Sequence, residues 1–166
     1  GAEAMCYTYH HLYNIDVSIV RYFTVYGPLS RPDMAQFRFM RWIDNGDEIE
    51  LFGDGEQARD FTHVSDIARG TILAMKKLGH EIINLGGGNN PISINKMIGL
   101  MEKGLGNTAK INHLPFNKAD MQVTWADISK AEKLLGWKPE ISFEEGIKDC
   151  LEHYQENLEF YKSIDF

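Results

Sequence analysis

The sequence has 166 residues, is 43% hydrophobic and 25% charged, and carries a formal net charge of −7, which fits one compact domain or one large piece of a larger fold. Its acidity argues against a nucleic-acid partner, because a phosphate backbone requires a basic surface. No apolar run approaches the roughly 18 residues of a membrane span, so we expect no membrane partner. The two distant cysteines, Cys6 and Cys150, are too few for a disulfide framework or a paired zinc site, and we therefore expect a cytoplasmic protein.

The first half of the chain alternates helical and strand patterns. Met5, Tyr9 and Leu12 recur at helical spacing, and the run VSIVRYF that follows them is β-rich and apolar enough for a buried parallel strand. The predicted elements are a helix over 2–13, a strand over 17–23, a helix over 34–45 with Asp33 as its N-cap, and short strands over 48–52 and 59–63. The first helix begins without a cap, which suggests that the natural helix extends upstream of Gly1.

Serine caps and glycine stops delimit the helices of the second half. Ser65, Ser93 and Ser142 each stand before a helical pattern, where a hydroxyl can accept a hydrogen bond from a free backbone amide. The predicted elements are a helix from Ser65 to Leu78, a strand over 82–85, a helix from Ser93 to Lys103, a strand over 110–114, a helix over 128–135, and a last helix over 143–161.

This alternation of strands and helices predicts an α/β fold. Only two segments, 17–23 and 82–85, resemble buried parallel strands, whereas a doubly wound sheet normally has about six. We therefore expect the chain to form the last strands of a larger parallel sheet together with a small satellite lobe.

Two glycine-rich turns and the histidines are weak functional candidates. The segment 53–58 (GDGEQA) matches G-x-G-x-x-G/A, but a β-prone run follows it where a dinucleotide site needs a helix, so a tight turn is the better interpretation. The segment Gly86-Gly87-Gly88 lacks the lysine of a P-loop, and its following helix starts only at Ser93, so a flexible turn is the better interpretation. Neighbouring histidines such as His10 and His11 point about 100° apart on a helix and do not chelate together.

Two arginines are more informative. Arg31 follows the break at 26–28, and Arg59 stands where the glycine turn gives way to a strand. Ligands bind at the carboxyl ends of parallel strands, and the planar fork of arginine matches phosphate or carboxylate. Met34 stands at the start of a helix, where free amides favour an anion. Surface ion pairs remain the alternative interpretation of both arginines.

Four ordered strings together resemble the extended short-chain dehydrogenases that act on nucleotide sugars. The strings are RYFTVYGP over 21–28, GDGEQARDFTHVSD over 53–66, INLG over 83–86, and DISKA through LGWKP over 127–139. They span nearly the whole chain in the family's order. The resemblance implies the C-terminal part of a Rossmann-type doubly wound parallel sheet, with 1–166 forming mainly the nucleotide-sugar-binding lobe.

The resemblance also implies a reaction. The family's tyrosine takes a proton from the sugar 4-OH while C4 gives a hydride to NAD, and the 4-keto sugar then takes the hydride back on its other face. The tyrosine and lysine of the Y-x-x-x-K motif would lie just upstream of Gly1, and the glycine-rich NAD loop further upstream. We therefore expect no catalytic residue in this chain, NAD bound mostly by an N-terminal part, and no activity of the chain alone.

By resemblance, the chain supplies the substrate's binding residues. Arg59 would contact the diphosphate, Asp120 a ribose hydroxyl, Leu51 and Phe52 the uracil, the Met34 backbone a phosphate, and Tyr22 the nicotinamide. Thr24 stands where many neutral-sugar epimerases have Asn, and Thr24 with Arg31 is most similar to UDP-glucuronate 4-epimerases, because a hydroxyl and an arginine suit a uronate carboxylate. Lys118-Ala119-Asp120 departs from the family's P-G-D at the ribose contact.

The leading prediction is thus a UDP-glucuronate 4-epimerase, with a UDP-sugar substrate and a homodimer when intact. A neutral UDP-sugar 4-epimerase, or a nucleotide-sugar dehydratase or decarboxylase on the same scaffold, is the alternative enzyme. A noncatalytic nucleotide-sugar-binding or interaction module, partnered by the missing half or by another copy, is the alternative from a different class.

Overall fold

The computed structural model describes residues 1–88 and 90–164. The helices are α1 (Ala2–Tyr13), α2 (Ala35–Asn45), α3 (Val64–Leu73), α4 (Ile94–Leu105), α5 (Ser129–Leu135), α6 (Phe143–Glu156) and α7 (Leu158–Lys162). The strands are β1 (Val17–Tyr22), β2 (Thr24–Tyr26), β3 (Glu48–Phe52), β4 (Ala58–Arg59), β5 (Phe61–His63), β6 (His80–Leu85), β7 (Ile92–Ser93), β8 (Lys110–Leu114) and β9 (Val123–Thr124). This mixed order confirms the predicted α/β class.

Strands β1 and β6 form the expected parallel pair, in register from Val17 opposite His80 to Tyr22 opposite Leu85. Ile83 and Leu85 are fully buried against α3 and α5, where Trp137 fills the centre of a small apolar cluster. The buried Asp66 of α3 accepts hydrogen bonds from Arg69 and from the amides of Glu140 and Ile141. This carboxylate ties α3 to the segment that follows α5.

The satellite lobe packs α2, α4 and α6 around two further parallel pairs, β2–β5 and β3–β8. Ile49, Met97 and Met101 are fully buried in its core. A three-stranded sheet of order β7-β4-β9 lies beside this core. The sequence did not predict that these two pairs form. Their strands have only three to five residues each, which is too short for a clear hydrophobic pattern.

Two predicted helix starts are wrong. Asp33 does not cap α2, because its carboxylate pairs with Arg31; the N-cap is Met34, without a side-chain hydrogen bond. Ser65 does not cap α3 but lies inside it, and its amide donates to the side chain of His63, the actual N-cap. The caps at Ser93 and Ser142 are confirmed, each hydroxyl accepting from the amide three residues on.

Three predicted segments are shorter or divided in the structure. Helix α3 ends at Leu73 rather than Leu78, because the amides of Met75 and Lys76 bond three residues back in a tighter turn. The strand over 59–63 is interrupted at Asp60, whose carboxylate accepts from the Ala126 amide between β4 and β5. The last helix breaks at Asn157, which ends α6 and starts α7.

Candidate functional site

Two adjoining cavities lie where β2, β3 and β4 end. The smaller cavity, about 260 Å³, is lined by Thr24, Met34, Ala35, Gln36, Phe39, Glu50, Leu51, Phe52, Gln57, Arg59, Phe61, Ile94 and Asp120. The larger cavity, about 690 Å³, is lined by residues 22–31 together with Met34, Gln36, Val64, Met121 and Thr124. Thr24, Met34 and Gln36 line both. The two cavities therefore share one wall, formed by the start of β2 and the start of α2.

Arg59 and Asp120 meet in the smaller cavity although they lie 61 residues apart. The Arg59 Nη2 atom donates to Asp120 Oδ1 at 2.6 Å, and Nη1 donates to the Ala58 carbonyl at 2.9 Å. The Arg59 side chain is 19% exposed and that of Asp120 45%. A largely buried guanidinium, held by a partner that still faces solvent, can offer its remaining N–H groups to an anion.

Leu51 and Phe52 are neighbours on β3 and so point to opposite faces of the strand. Leu51 is buried in the lobe core, whereas Phe52 is half-exposed at the cavity. The Gln57 Nε2 atom donates to the Phe52 carbonyl at 2.8 Å and fixes the end of the strand. Both residues line the smaller cavity, and Phe52 presents the more exposed side chain there to a base.

The start of α2 forms the shared wall. The Met34 amide donates to the Arg31 carbonyl at 3.0 Å, so this amide, which the sequence assigned to a phosphate, already has an acceptor. The next amides, of Ala35 and Gln36, open the helix, and a helix offers no internal acceptor to its first amides. Both residues line the smaller cavity, which makes them the better candidates for binding an anion there.

The remaining three predicted residues, Tyr22, Thr24 and Arg31, line the larger cavity. Tyr22 lies at the carboxyl end of β1, and its hydroxyl is 3.0 Å from Thr71 Oγ1. Arg31 donates to Asp33 at 3.0 Å, and both side chains are more than two-thirds exposed. An exposed pair of this kind contributes little stability, so the Arg31 fork can exchange Asp33 for another carboxylate at low cost.

A compact loop over residues 27–31 carries Arg31. Ser30 Oγ donates to the Gly27 carbonyl at 2.7 Å and accepts from Gln36 Nε2 at 3.2 Å, and Gln36 is buried. Leu29 has a φ of 59°, in the left-handed region that non-glycine residues rarely adopt. Gln36 and Gln57 are the site residues that sequence reasoning missed; a polar residue on an apolar helix face was the available signal for Gln36.

The two glycine-rich turns have structural roles. Gly53 and Gly55, both at φ 82°, turn the chain from β3 towards β4, and no helix follows them. A Cβ atom at Gly87 would lie 2.2 Å from Asp60 Oδ1, so this turn packs directly on that buried carboxylate. The tight turn predicted within 53–58 is therefore confirmed, whereas Gly87 packs closely on Asp60 instead of forming the flexible turn that the sequence predicted.

Tyr26 is a buried tyrosine in the lining of the larger cavity, but it does not suit proton abstraction. Burial raises the pKa of its hydroxyl well above the usual value, and the hydroxyl donates to the Ser142 carbonyl. Across residues 1–88 and 90–164, no group of three or more His, Cys, Asp or Glu side chains could hold a metal ion. Within the same residues, no helix is both long and apolar enough to cross a membrane.

Comparison with known proteins relates this geometry to nucleotide-sugar enzymes. Residues 1–150 match the family model described as GDP-mannose 4,6 dehydratase. A UDP-glucuronate 4-epimerase from Thermodesulfobacterium geofontis is 62% identical over 164 residues, covering 99% of this chain and 51% of that protein. A probable UDP-glucuronate 4-epimerase from Rhizobium meliloti is 34% identical, over 93% of this chain and 51% of that protein. The chain spans about half the length of the curated relatives it matches.

Solved structures agree with these sequence matches. The UDP-glucuronic acid 4-epimerase of Bacillus cereus, in complex with UDP-glucuronic acid and NAD, is 39% identical with a TM-score of 0.84, over 93% of this chain and 50% of that one. A UDP-glucose 4-epimerase from Thermotoga maritima with UDP-glucose is 31% identical with a TM-score of 0.87, over 94% of this chain and 51% of that one. The fold corresponds to one half of such enzymes.

Proposed function

The chain belongs to the NAD-dependent nucleotide-sugar epimerases and dehydratases of the extended short-chain dehydrogenases, and from that premise we propose that it is the nucleotide-sugar-binding part of a UDP-sugar 4-epimerase. We further propose that the sugar is a uronate, so that the intact enzyme interconverts UDP-glucuronate and UDP-galacturonate. An upstream part of the natural polypeptide would supply the catalytic tyrosine and lysine.

The observation that carries the proposal is the wall shared by the two cavities. Arg59, Asp120 and Phe52 line the smaller cavity, whereas Tyr22 and Arg31 line the larger one. A UDP-sugar has a nucleoside diphosphate at one end and a pyranose at the other. UDP in the smaller cavity would extend its sugar across Thr24 into the larger one, towards the carboxyl end of β1.

Charge supports the diphosphate's place in the smaller cavity. Two phosphate charges leaving water need paired hydrogen bonds, and the Arg59 fork with the first amides of α2 supplies donors from two sides. Asp120 keeps the guanidinium in place before the ligand arrives and retains an oxygen for a ribose hydroxyl. Phe52 offers a half-exposed ring for the uracil.

The larger cavity supports recognition of a uronate. Thr24 offers a hydroxyl on the shared wall, and Arg31 offers a guanidinium whose present partner, Asp33, is exposed. A sugar carboxylate would take the place of Asp33 on the same fork, forming a charge-assisted pair in a less exposed setting. A neutral CH₂OH group has no charge to offer Arg31.

The described residues fit one wall of a nicotinamide site. Phe23 and Pro28 give the larger cavity an apolar surface next to the Tyr22 ring, and a flat apolar ring suits such a surface. NAD, when bound, accepts a hydride from the sugar and returns it. Both glycine turns described above are engaged in packing, so binding of the cofactor's diphosphate is assigned to the upstream part.

Product analysis with the natural full-length polypeptide tests the function. UDP-glucuronate is supplied, and we expect UDP-galacturonate as the product, identified by its proton NMR couplings at C4. UDP-xylose would instead identify a decarboxylase, and conversion of UDP-glucose alone a neutral-sugar epimerase. UDP binding without any turnover would favour a noncatalytic module.

The 166-residue chain alone contains no Y-x-x-x-K motif, and we expect it to show no turnover above a heat-killed control.

Substitution of Arg31 tests the choice of sugar. We expect Arg31→Ala to raise KM for UDP-glucuronate by about tenfold or more, because one charge-assisted contact worth roughly 1.5–3 kcal/mol is lost, while binding of free UDP stays within about twofold. Arg21→Ala is the matched control, since Arg21 is an exposed arginine paired with Glu3 outside both cavities. Equal losses for UDP-glucuronate and UDP would contradict the uronate assignment.

A further inference from the structure

Leu29 and Tyr161 join the substrate loop to the far end of the chain. The Leu29 amide donates to the Tyr161 hydroxyl at 3.3 Å, a contact between residues 132 positions apart. Tyr161 is 2% exposed and lies on α7, and its oxygen is also 2.9 Å from His153 Nδ1 on α6. This hydrogen bond links the loop over residues 27–31 to the C-terminal helices α6 and α7.

The Tyr161 hydroxyl is protonated and has two hydrogen-bond partners. Burial raises the pKa of the Tyr161 hydroxyl, which therefore keeps its proton throughout the physiological range. The oxygen accepts from the Leu29 amide, and the same hydroxyl shares a second hydrogen bond with His153 Nδ1. The hydroxyl is thus bonded on two sides, by the Leu29 amide and by His153.

The rings around Tyr161 leave it little freedom to move. The Phe37 and Tyr154 rings lie 5.1 Å and 5.0 Å from its ring, centroid to centroid. Arg41 of α2 donates to the Ile164 carbonyl just beyond α7, which holds the short helix against α2. The Tyr161 hydroxyl therefore has a well-defined position, and the loop over residues 27–31 is hydrogen-bonded to it through Leu29.

Leu29 requires a stabilising hydrogen bond because its backbone conformation is strained. A left-handed conformation places Cβ close to the next carbonyl oxygen and costs an L-residue free energy that glycine does not lose. Leu29 is also 63% exposed, so apolar packing does little to retain the conformation. Arg31 lies two residues further along, and relaxation of Leu29 to negative φ would redirect the backbone that carries Arg31.

We propose that Tyr161 is a positioning residue for sugar recognition: its hydroxyl retains Leu29 in the left-handed conformation and so holds Arg31 at the larger cavity. The inference rests on the proposed function, in which Arg31 binds the uronate. Tyr161 touches no substrate. It acts through the loop, and the nucleotide end, built on Arg59, does not depend on it.

The test uses the full-length polypeptide with Tyr161→Phe, which removes the hydroxyl and keeps the ring. Loss of one hydrogen bond corresponds to about fivefold, so we expect KM for UDP-glucuronate to rise by about that factor with the UDP dissociation constant unchanged. Tyr154→Phe is the matched control, because its equally buried hydroxyl bonds Asp44 and not the loop. Leu29→Gly in the Tyr161→Phe background should restore KM, since glycine adopts the left-handed conformation without a hydrogen bond.

Any one of three kinetic results would overturn the proposal: an unchanged KM in Tyr161→Phe, an equal rise of KM in Tyr154→Phe, or no rescue of KM by Leu29→Gly. Hydrogen exchange of the Leu29 amide separates this question from the enzyme's identity. We expect exchange to be several-fold faster in Tyr161→Phe than in Tyr154→Phe whichever sugar is turned over. Equal exchange rates would refute the positioning role even if UDP-glucuronate proves to be the substrate.

Discussion

At the scale of single residues, Arg59 is already paired before any ligand arrives. Its bonds to Asp120 and the Ala58 carbonyl leave part of the guanidinium free and fix the direction in which it points. Such preorganisation lowers the entropy that binding must overcome. Arg59 can therefore form an ion pair with Asp120 and still bind a phosphate, because the ion pair orients the guanidinium before the phosphate arrives.

Truncation of Arg59 should therefore weaken the nucleotide end. In the intact enzyme we expect Arg59→Ala to weaken UDP binding by roughly 2–4 kcal/mol, as for removal of one partner of a buried charge pair. Arg59→Lys should recover part of this loss, because an ammonium lacks the bidentate fork. Calorimetry with free UDP measures the effect; binding within about threefold of wild type would leave only the ion pair with Asp120 as the role of Arg59.

All the site residues that the resemblance predicted line the two cavities, and their roles in binding stay predictions. Leu51 and Phe52 are both predicted to flank the uracil, and the alternation of β3 buries the side chain of Leu51 while it leaves that of Phe52 half-exposed. The Met34 backbone is predicted to meet a phosphate, and its amide has an acceptor within the chain, the Arg31 carbonyl. Distances of this kind depend on how segments pack, and no local pattern contains that information.

At the scale of secondary-structure elements, local chemistry predicted the helices well where a cap was strong. Ser142 and Glu145 form a reciprocal capping box at the start of α6, and the sequence alone located that cap. Asp33 and Ser65 failed because a competing partner one or two residues away took the capping position. Strand pairing could not be predicted from such short segments. Strands β3 and β8, for example, pair although residues 53–109, with α3 and α4, separate them along the chain.

The capping box makes a prediction about α6 and pH. Ser142→Ala should lower the free energy of unfolding by about 1 kcal/mol at neutral pH. The Ser142 hydroxyl and amide lower the pKa of Glu145 below 4.5, so the box contributes stability above that pH and loses it as the pH falls through the folded-state pKa. The difference between wild type and Ser142→Ala, measured by urea unfolding, should therefore shrink in acid; a constant difference down to pH 3 would contradict the reciprocal box.

At the scale of the whole molecule, α1 stands apart, since none of its residues is buried. Met5, Tyr9, Leu12 and Tyr13 are each more than half exposed, as are Ile72 and Met75 near α3. Apolar surface of this extent normally marks a contact with another chain or another part of the same protein. The relatives that the chain matches are about twice its length, which agrees with a covered surface in the intact protein.

The isolated 166-residue chain should consequently self-associate. Sedimentation at tens of micromolar is expected to show dimers or larger species. Replacing Met5 and Leu12 with glutamate should shift the distribution towards monomer, because charges on the exposed helix face oppose apolar contact. Replacing the exposed Glu159 with glutamine is a control that leaves this face unchanged. A cooperative monomer at that concentration would contradict the expectation.

The pairing of β1 with β6 has a further consequence for how the protein is made. The Gly79 amide that opens the partner strand bonds Asp16, 63 residues earlier, so β1 leaves the ribosome well before the strand that completes it. At about 5–20 residues per second, synthesis of the intervening segment takes roughly 3–13 s. Through that interval the β1 edge is unpaired and open to wrong strands, and slowing translation by cooling would lengthen it. Yield of folded protein should thus depend on the protection that chaperones give the nascent chain during these seconds.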